Sequence, residues 1–221
     1  MSDLAILVKR EIRLSFVNST NIISFLSFLS FGILIFVFAF GPNTEKLSSL
    51  FIPIMWVIFV LSIILAAENF FLRDYLDGSL KELQFLGFSK ECIILSKSIA
   101  MWFILIVPSS LMIPIFSLMF SVDFRDQFEI FINFFLASPS LVMISLISVL
   151  FSLQIRTNPI LKFIIILPFY VPILIFATNS EFFLINQNNP FDNFFILFAI
   201  FFITLAIALI FGKYILEEVN K

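Results

Sequence analysis

Long uncharged stretches alternate with short charged segments along the chain. Six stretches of at least 18 residues contain no Asp, Glu, Lys or Arg and are rich in Phe, Ile, Leu and Val: residues 14–44, 47–67, 98–122, 130–155, 163–180 and 193–212. A helix of about 20 apolar residues crosses a membrane, and these runs lack the strict alternation of a barrel strand. The pattern therefore predicts six transmembrane helices, near residues 22–40, 50–68, 97–120, 129–152, 160–179 and 192–212.

The composition agrees with a membrane protein and excludes several kinds of chemistry. Of the 221 residues, 61% are hydrophobic and 13% charged, whereas soluble domains have about 45–50% and about 25%. No histidine is present, which excludes Ser-His-Asp catalysis, zinc held by histidine, and haem held by histidine. The single cysteine, Cys92, allows no internal disulfide. We therefore exclude a soluble enzyme, and the spans hold no residue set that favours an intramembrane one.

The basic residues indicate how the chain is oriented in the membrane. Eleven of the 13 fall on one side of the predicted spans: Lys9, Arg10, Arg13, Arg73, Lys81, Lys90, Lys97, Arg156, Lys162, Lys213 and Lys221. Only Lys46 and Arg125 fall on the other side. Since cytoplasmic loops carry the excess of Lys and Arg, we expect both the N-terminus and the C-terminus to be cytoplasmic. We expect residues 1–221 to form a single transmembrane domain.

Residues 3–17 have the pattern of an amphipathic helix that lies on the membrane surface. Five residues recur at helical spacing: Leu4, Leu7, Val8, Glu11 and Ile12. Three basic residues are within reach of lipid phosphates: Lys9, Arg10 and Arg13. The alternative is that this segment simply extends the first span.

The connection between the second and third predicted spans, segment 69–92, carries the most informative polar residues. Asp77-Gly78 is a turn signal. Ser79 followed by Glu82 fits a capping box, in which each side chain satisfies a backbone amide at a helix start. We therefore predict that a helix begins immediately after a charged turn.

The residues that follow predict a short amphipathic helix over 79–86. Leu80, Leu83 and Leu86 recur at helical spacing, and Gly87 is suited to end the helix. A solvated hairpin between two spans is the alternative interpretation. The defined start and stop signals favour the helix.

Five prolines lie inside the third, fourth and fifth predicted spans: Pro108, Pro114, Pro139, Pro168 and Pro172. A proline inside a helix removes one backbone hydrogen bond and kinks the helix, and the freed carbonyl needs a partner in lipid. The neighbouring serines are candidate donors: Ser109, Ser110, Ser138 and Ser140. The prolines therefore indicate either helices that bend during a working cycle or ordinary packing kinks.

Four segments together resemble a known family. They are WVIFVLSIILAAENFFLRDYLDGSLKEL at 56–83, KSIAMWFILIVPSSLMIP at 97–114, SPSL at 138–141 and LPFYVPILIFAT at 167–178. They are similar to the permeases of ABC-2 type exporters, and above all to the cytochrome c maturation protein B family, also termed haem exporter permeases. The resemblance covers nearly the whole chain and agrees with its length and predicted topology.

The resemblance implies an all-α membrane protein of the ABC-2 type exporter permease fold in a bacterial inner membrane, which we favour over a mitochondrial one. The implied partners are an ATPase subunit at the cytoplasmic face, a haem-handling membrane subunit, a small single-span subunit, a periplasmic haem chaperone and membrane lipid, but no nucleic acid. ATP and Mg²⁺ would bind to the partner ATPase, since the chain has no Gly-x-x-x-x-Gly-Lys-Ser/Thr loop. We expect this chain to be non-catalytic, without a metal site, haem ligand or directly bound cofactor, while the complex handles haem.

The same resemblance implies that the segment after the second span contacts the ATPase. The candidate contact residues are Glu68, Arg73, Asp74, Asp77, Gly78, Ser79, Leu80, Lys81, Glu82 and Leu83. We expect Leu80 and Leu83 to enter a groove on the ATPase, as an amphipathic helix does. The charged members of the set would fix the position of the helix in that groove.

Three kinds of function remain open at this point. The first is a permease that couples ATP hydrolysis to haem delivery for cytochrome c assembly. The absence of histidine favours release of a haem-loaded chaperone over passage of haem through this chain. The second is an ABC-2 exporter of an unrelated lipid or drug, and the third is a membrane scaffold. Uncharged spans argue against ion-coupled transport.

Overall fold

The computed structural model describes residues 3–41, 44–155, 160–178 and 191–219, and the regular elements in those ranges are all α-helices. In chain order they are α1 Asp3–Val17, α2 Thr20–Phe40, α3 Thr44–Leu76, α4 Ser79–Phe85, α5 Lys90–Met119, α6 Phe124–Ile155, α7 Ile160–Thr178 and α8 Phe191–Val219. The all-α prediction is confirmed for this part of the chain. The predicted helix over 3–17 is confirmed as α1, and the helix predicted over 79–86 ends one residue earlier, as α4.

Among the residues that the structure describes, five helices contain a segment that is long and apolar enough to cross a membrane. These segments are Thr20–Phe40, Ser48–Leu76, Lys90–Met119, Asp126–Leu153 and Phe194–Glu217. The part of α7 whose side chains are described, Ile166–Thr178, is apolar but shorter than these five segments. The first four predicted spans and the last one are thus confirmed as helices of spanning length, while the span at 160–179 stays a prediction.

An aromatic cluster joins the central helices α3 and α6. Trp56 and Phe59 of α3 lie with their ring centroids 5.9 Å apart, and Phe134 of α6 lies 4.6 Å from Phe59. Phe25 of α2 adds an edge-on contact to Phe59 at 6.3 Å. In lipid, association of helices rests on packing rather than on escape from water, so these close ring contacts hold the centre of the bundle.

One end of the helix bundle collects charged residues from several helices, and we term it the charged end. It contains α1, the end of α3, α4, the start of α5 and the end of α8. Two ion pairs join α5 to α8: Lys90 to Glu217 at 3.3 Å and Lys213 to Glu91 at 2.8 Å. The structure thus brings together segments that the basic residues assign to one side. The side chains of Lys46, Arg125, Arg156, Lys162 and Lys221 are outside the described residues.

The five prolines lie inside continuous helices, two in α5, one in α6 and two in α7. Pro139 leaves the carbonyl of Phe135, four residues earlier, without its helical partner. Ser138 Oγ donates to that carbonyl at 3.4 Å, and Trp102 Nε1 of α5 donates to Ser138 Oγ at 3.0 Å. Ser138 is therefore a serine that donates to a carbonyl freed by proline, as predicted. Ser109 and Ser110 donate to other carbonyls, and bending at the prolines stays a prediction.

We expect Ser138→Ala to lower the free energy of unfolding by about 1 kcal/mol, because it leaves both the indole N–H of Trp102 and a proline-freed carbonyl without this partner. Ser140→Ala is the matched control: Ser140 is equally buried, and its hydroxyl has no hydrogen-bond partner among the described residues. Reversible unfolding in detergent measures both. Equal effects of the two substitutions would contradict the bridging role of Ser138.

Candidate functional site

The turn after α3 depends on a glycine in the left-handed region. Gly78 has φ +75°, which L residues with a Cβ rarely adopt. The N–H of Asp77 donates to the carbonyl of Arg73 at 2.9 Å, and the N–H of Gly78 donates to that of Tyr75 at 3.3 Å. These bonds close the end of α3, so the turn predicted at Asp77-Gly78 is confirmed.

The start of α4 differs from the predicted capping box. Gly78 is the N-cap and supplies no side-chain cap, while Ser79 is already the first helical residue. Ser79 Oγ instead donates back to the carbonyl of Asp74 at 3.4 Å. The prediction of a capping box between Ser79 and Glu82 is therefore wrong. The left-handed glycine turns the chain so sharply that the serine falls inside the helix.

The end of α4 agrees with the prediction. Gly87 has φ +91°, and its N–H donates to the carbonyl of Gln84 at 3.0 Å. The N–H of Phe88 donates to the carbonyl of Leu83 at 3.2 Å. These two bonds form a Schellman motif, which satisfies helix-end carbonyls through a left-handed glycine.

The apolar face of α4 packs into this chain rather than facing outwards. Leu80 and Leu83 are buried in the hydrophobic core. This differs from the expectation that they are free to enter a groove on a partner. Three apolar side chains in or next to α4 are exposed instead: Leu76 at 72%, Phe85 at 90% and Leu86 at 74%. We term these three residues the apolar tip.

Charged side chains surround the apolar tip. Arg73 lies 3.8 Å from Asp77, one helical turn further on. The guanidinium of Arg73 also donates to the carboxamide oxygen of Asn18 once that amide is oriented to accept. Lys81 and Glu82 are exposed on α4. Glu68, further back in α3, is partly buried.

Beneath this surface lies a group of charged side chains, Arg10, Glu11, Asp74 and Lys97, which we term the buried charge cluster. Glu11, Asp74 and Lys97 are buried, and Arg10 at its edge is partly exposed. Lys97 of α5 is fully buried. Its ammonium donates to Asp74 Oδ2 at 2.6 Å, to Glu11 Oε2 at 3.1 Å and to the carbonyl of Phe70 at 2.9 Å. The three donors of the ammonium group thus have three acceptors.

The cluster is electrically balanced and links three helices. Arg10 lies 2.5 Å from Glu11 and 3.4 Å from Asp74, so two cations face two carboxylates. These contacts join α1 and α5 to the end of α3. Asp74 was expected at the surface that meets the ATPase, but the structure buries its side chain in this cluster. Its carbonyl still accepts from Ser79, which connects the cluster to α4.

Comparison with known proteins places the chain in a family. The family model described as CcmB protein matches residues 2–213, which include the whole of the apolar tip and the buried charge cluster. The chain belongs to the CcmB family. The resemblance noted from the sequence is therefore confirmed. Together with the five helices of spanning length, CcmB membership makes the chain a multi-pass membrane protein.

Curated members of the CcmB family are similar over most of their length. Heme exporter protein B of Haemophilus influenzae is 29% identical over 173 residues, which is 78% of each chain. That of Pseudomonas aeruginosa is 27% identical over 176 residues, covering 80% of this chain and 79% of the relative. That of Bradyrhizobium diazoefficiens is 25% identical over 182 residues, or 82% of each chain.

The buried charge cluster is the part of this CcmB chain that the sequence reasoning missed. In the sequence, Lys97 counts among the basic residues of one side of the spans, and Glu11 is one member of a helical stripe. The sequence does contain one signal of the cluster: Glu11 lies on the apolar stripe of α1. If that stripe is buried, its carboxylate requires a cation as a partner. Nothing in the sequence indicates which of the basic residues is that cation.

The structure also corrects the expected position of α1. Leu7 and Glu11, on the stripe that was expected to face lipid, are buried, and Ile12 packs against the hydrophobic core. Arg10, expected at lipid phosphates, instead lies against Glu11 and Asp74. The amphipathic stripe of α1 therefore faces the protein.

Proposed function

We propose that this CcmB-family chain is the permease subunit of an ABC-type cytochrome c maturation complex in a bacterial inner membrane. The curated relatives are named Heme exporter protein B, and the chain aligns with about four-fifths of their length. Haem is then the substrate that the complex handles. The partner ATPase, and not this chain, binds ATP and Mg²⁺.

In this proposal the charged end faces the cytoplasm and receives the ATPase. The observation that carries it is the apolar tip: Leu76, Phe85 and Leu86 stand exposed beside exposed charges at the end of the bundle. Exposed apolar side chains rimmed by charges are typical of a docking surface. The excess of Lys and Arg on this side agrees with a cytoplasmic location.

The contacts of α4 suggest how docking would be coupled to the membrane helices. A displacement of the apolar tip moves α4, whose Leu80 and Leu83 are packed in the core. The turn at Gly78 and the bond from Ser79 to Asp74 join α4 to α3. Asp74 is held by Lys97, so the displacement reaches α5 directly.

Haem need not pass through this chain. The sequence has no histidine, and its one cysteine, Cys92, lies near the start of α5 at the charged end. We propose that the chain transmits an ATP-driven conformational change that releases a haem-loaded periplasmic chaperone. The remaining partners in the proposal are a haem-handling membrane subunit and a small single-span subunit.

Deletion of the gene tests the proposed function. We expect the deletion to abolish covalent haem in c-type cytochromes, measured by haem staining of denatured membrane proteins, and a plasmid copy to restore it. Levels of a cytochrome that binds haem non-covalently serve as the control for haem supply. Undiminished covalent haem in the deletion strain would contradict the proposal and favour an exporter of an unrelated lipid or drug.

A further inference from the structure

The outer face of α1 carries a second, separate pattern. Lys9 and Arg13 are exposed and one turn apart. Ile6, Phe16 and Val17 are exposed on the same side of the helix. The face opposite the protein is therefore both basic and apolar.

The rotation of α1 about its own axis is fixed by the residues that it packs against the protein. Leu7 is buried in the core, and Glu11 accepts from the fully buried ammonium of Lys97. Rotation of α1 would pull Glu11 away from Lys97 and leave both charges unpaired. Lys9 and Arg13 are consequently held pointing away from the protein.

The charge on the outer face is entirely positive. Glu11 is the only acidic residue between Asp3 and Val17, and it points inwards. Neither Lys9 nor Arg13 forms an ion pair with a side chain that the structure describes. Two cations that pair with no described carboxylate therefore lie where a negatively charged surface would fit them.

The position of α1 indicates which surface that is. Only Asn18 and Ser19 separate the end of α1 from the start of α2, a helix of spanning length. Exposed apolar side chains follow at Ile23, in the first turn of α2. The outer face of α1 therefore adjoins the boundary between lipid headgroups and acyl chains.

We infer that the outer face of α1 docks on anionic phospholipid headgroups of the adjoining membrane leaflet. Lys9 and Arg13 contact the headgroup phosphates, while Phe16 and Val17 enter the region where the acyl chains begin. Aromatic and aliphatic side chains beside basic residues are typical of helices at this depth. The inference rests on the placement of α1 and is independent of the transported substrate.

A fluorescence experiment on the full-length protein tests this docking. Cys92→Ser with Phe16→Cys gives a single site for a bimane label, and the protein is placed in phosphatidylcholine nanodiscs that contain a nitroxide quencher. The quencher sits near the top of an acyl chain of either phosphatidylglycerol or phosphatidylcholine. Each cation near a membrane surface contributes roughly a fivefold preference for anionic lipid. We expect phosphatidylglycerol to quench at a several-fold lower mole fraction than phosphatidylcholine.

Charge variants separate docking from general proximity to lipid. Lys9→Gln with Arg13→Gln should bring the two quenchers to equal efficiency, whereas Lys9→Arg with Arg13→Lys should keep the preference. Lys81→Gln, which removes an exposed cation from α4 at the same end of the molecule, should keep it too. The charge-conserving pair keeps the inference testable even if the neutral pair folds poorly.

Three results would overturn the inference. Equal quenching by the two lipids before any charge is removed would show that the cations do not select anionic headgroups. Absence of quenching by both lipids would place α1 away from the membrane. Loss of quenching after addition of the partner ATPase would show that a protein, and not lipid, covers this face in the complex.

Discussion

Replacing Lys97 by methionine should lower the free energy of unfolding by about 3–5 kcal/mol, one of the two largest effects we expect. The ammonium of Lys97 is fully buried and is the shared partner of Glu11 and Asp74. Methionine fills a similar volume but leaves two buried carboxylates with Arg10 alone. Removing one partner of a buried ion pair costs this much because the charge left behind has lost water as well as its partner. Unfolding in mixed detergent micelles measures the loss.

The matched control is Lys90→Met in the same helix. Lys90 pairs with Glu217 at the exposed surface of the charged end, and exposed ion pairs contribute about 0–1 kcal/mol. A triple variant with Glu11→Leu, Asp74→Leu and Lys97→Met should recover much of the loss, since no buried carboxylate then remains. If Lys97→Met costs no more than Lys90→Met, the buried charge cluster does not hold the helices together.

Replacing Phe85 and Leu86 by aspartate should abolish co-purification of the ATPase with this chain, which is the second large effect. Both side chains are exposed members of the apolar tip, so the substitutions leave the core of this chain intact. In a docked complex each aspartate would bury a carboxylate against an apolar groove. Residues at the centre of an interface typically contribute about 2 kcal/mol or more, so the pair should weaken binding by about a thousandfold.

The measurement is recovery of the ATPase on a tagged copy of this chain from solubilised membranes. Phe124→Asp with Phe128→Asp is the matched control, because these phenylalanines are equally apolar and exposed but lie on α6, beyond the far end of α5. Leu80→Asp and Leu83→Asp do not test docking, since they place a charge in the core of this chain. Full recovery of the ATPase with Phe85→Asp and Leu86→Asp would exclude the apolar tip as its binding surface.

The local features of the charged end were predictable because they depend on neighbouring residues. The helical spacing over 3–17 and the glycine at 87 identify where α1 and α4 begin or end, because spacing and left-handed glycines act within one helical turn. The capping box failed for a local reason as well. Ser79 and Glu82 have the required spacing, but Gly78 takes the N-cap position and so moves the serine one residue into the helix.

The direction in which each apolar stripe faces could not be predicted. Leu7 on α1 and Leu80 on α4 both mark an apolar face, and the spacing is the same whether that face meets lipid, a partner or the chain itself. In both helices the face turned out to be inward. This left different apolar residues on the outside, Phe16 and Val17 on α1 and the apolar tip beside α4, and these now contribute to the two docking proposals.

The buried charge cluster was beyond prediction for a related reason. Lys97 and Glu11 are 86 residues apart, and Lys97 stands at the edge of an uncharged stretch, where a basic residue normally indicates topology. Pairing between them is a property of how the helices pack. A single sequence contains the two charges but not the distance between them.

The buried charge cluster also has a consequence for how the protein is made. Synthesis runs from the N-terminus, so Glu11 and Asp74 are made, and emerge from the ribosome, ahead of Lys97. Until α5 emerges, α1 and the end of α3 carry carboxylates that lack their main counter-ion, and these carboxylates must stay in water or against Arg10. Release of α5 from the insertion machinery is thus the step at which α1 can first settle against the bundle. A nascent chain stopped before residue 97 should leave α1 open to protease.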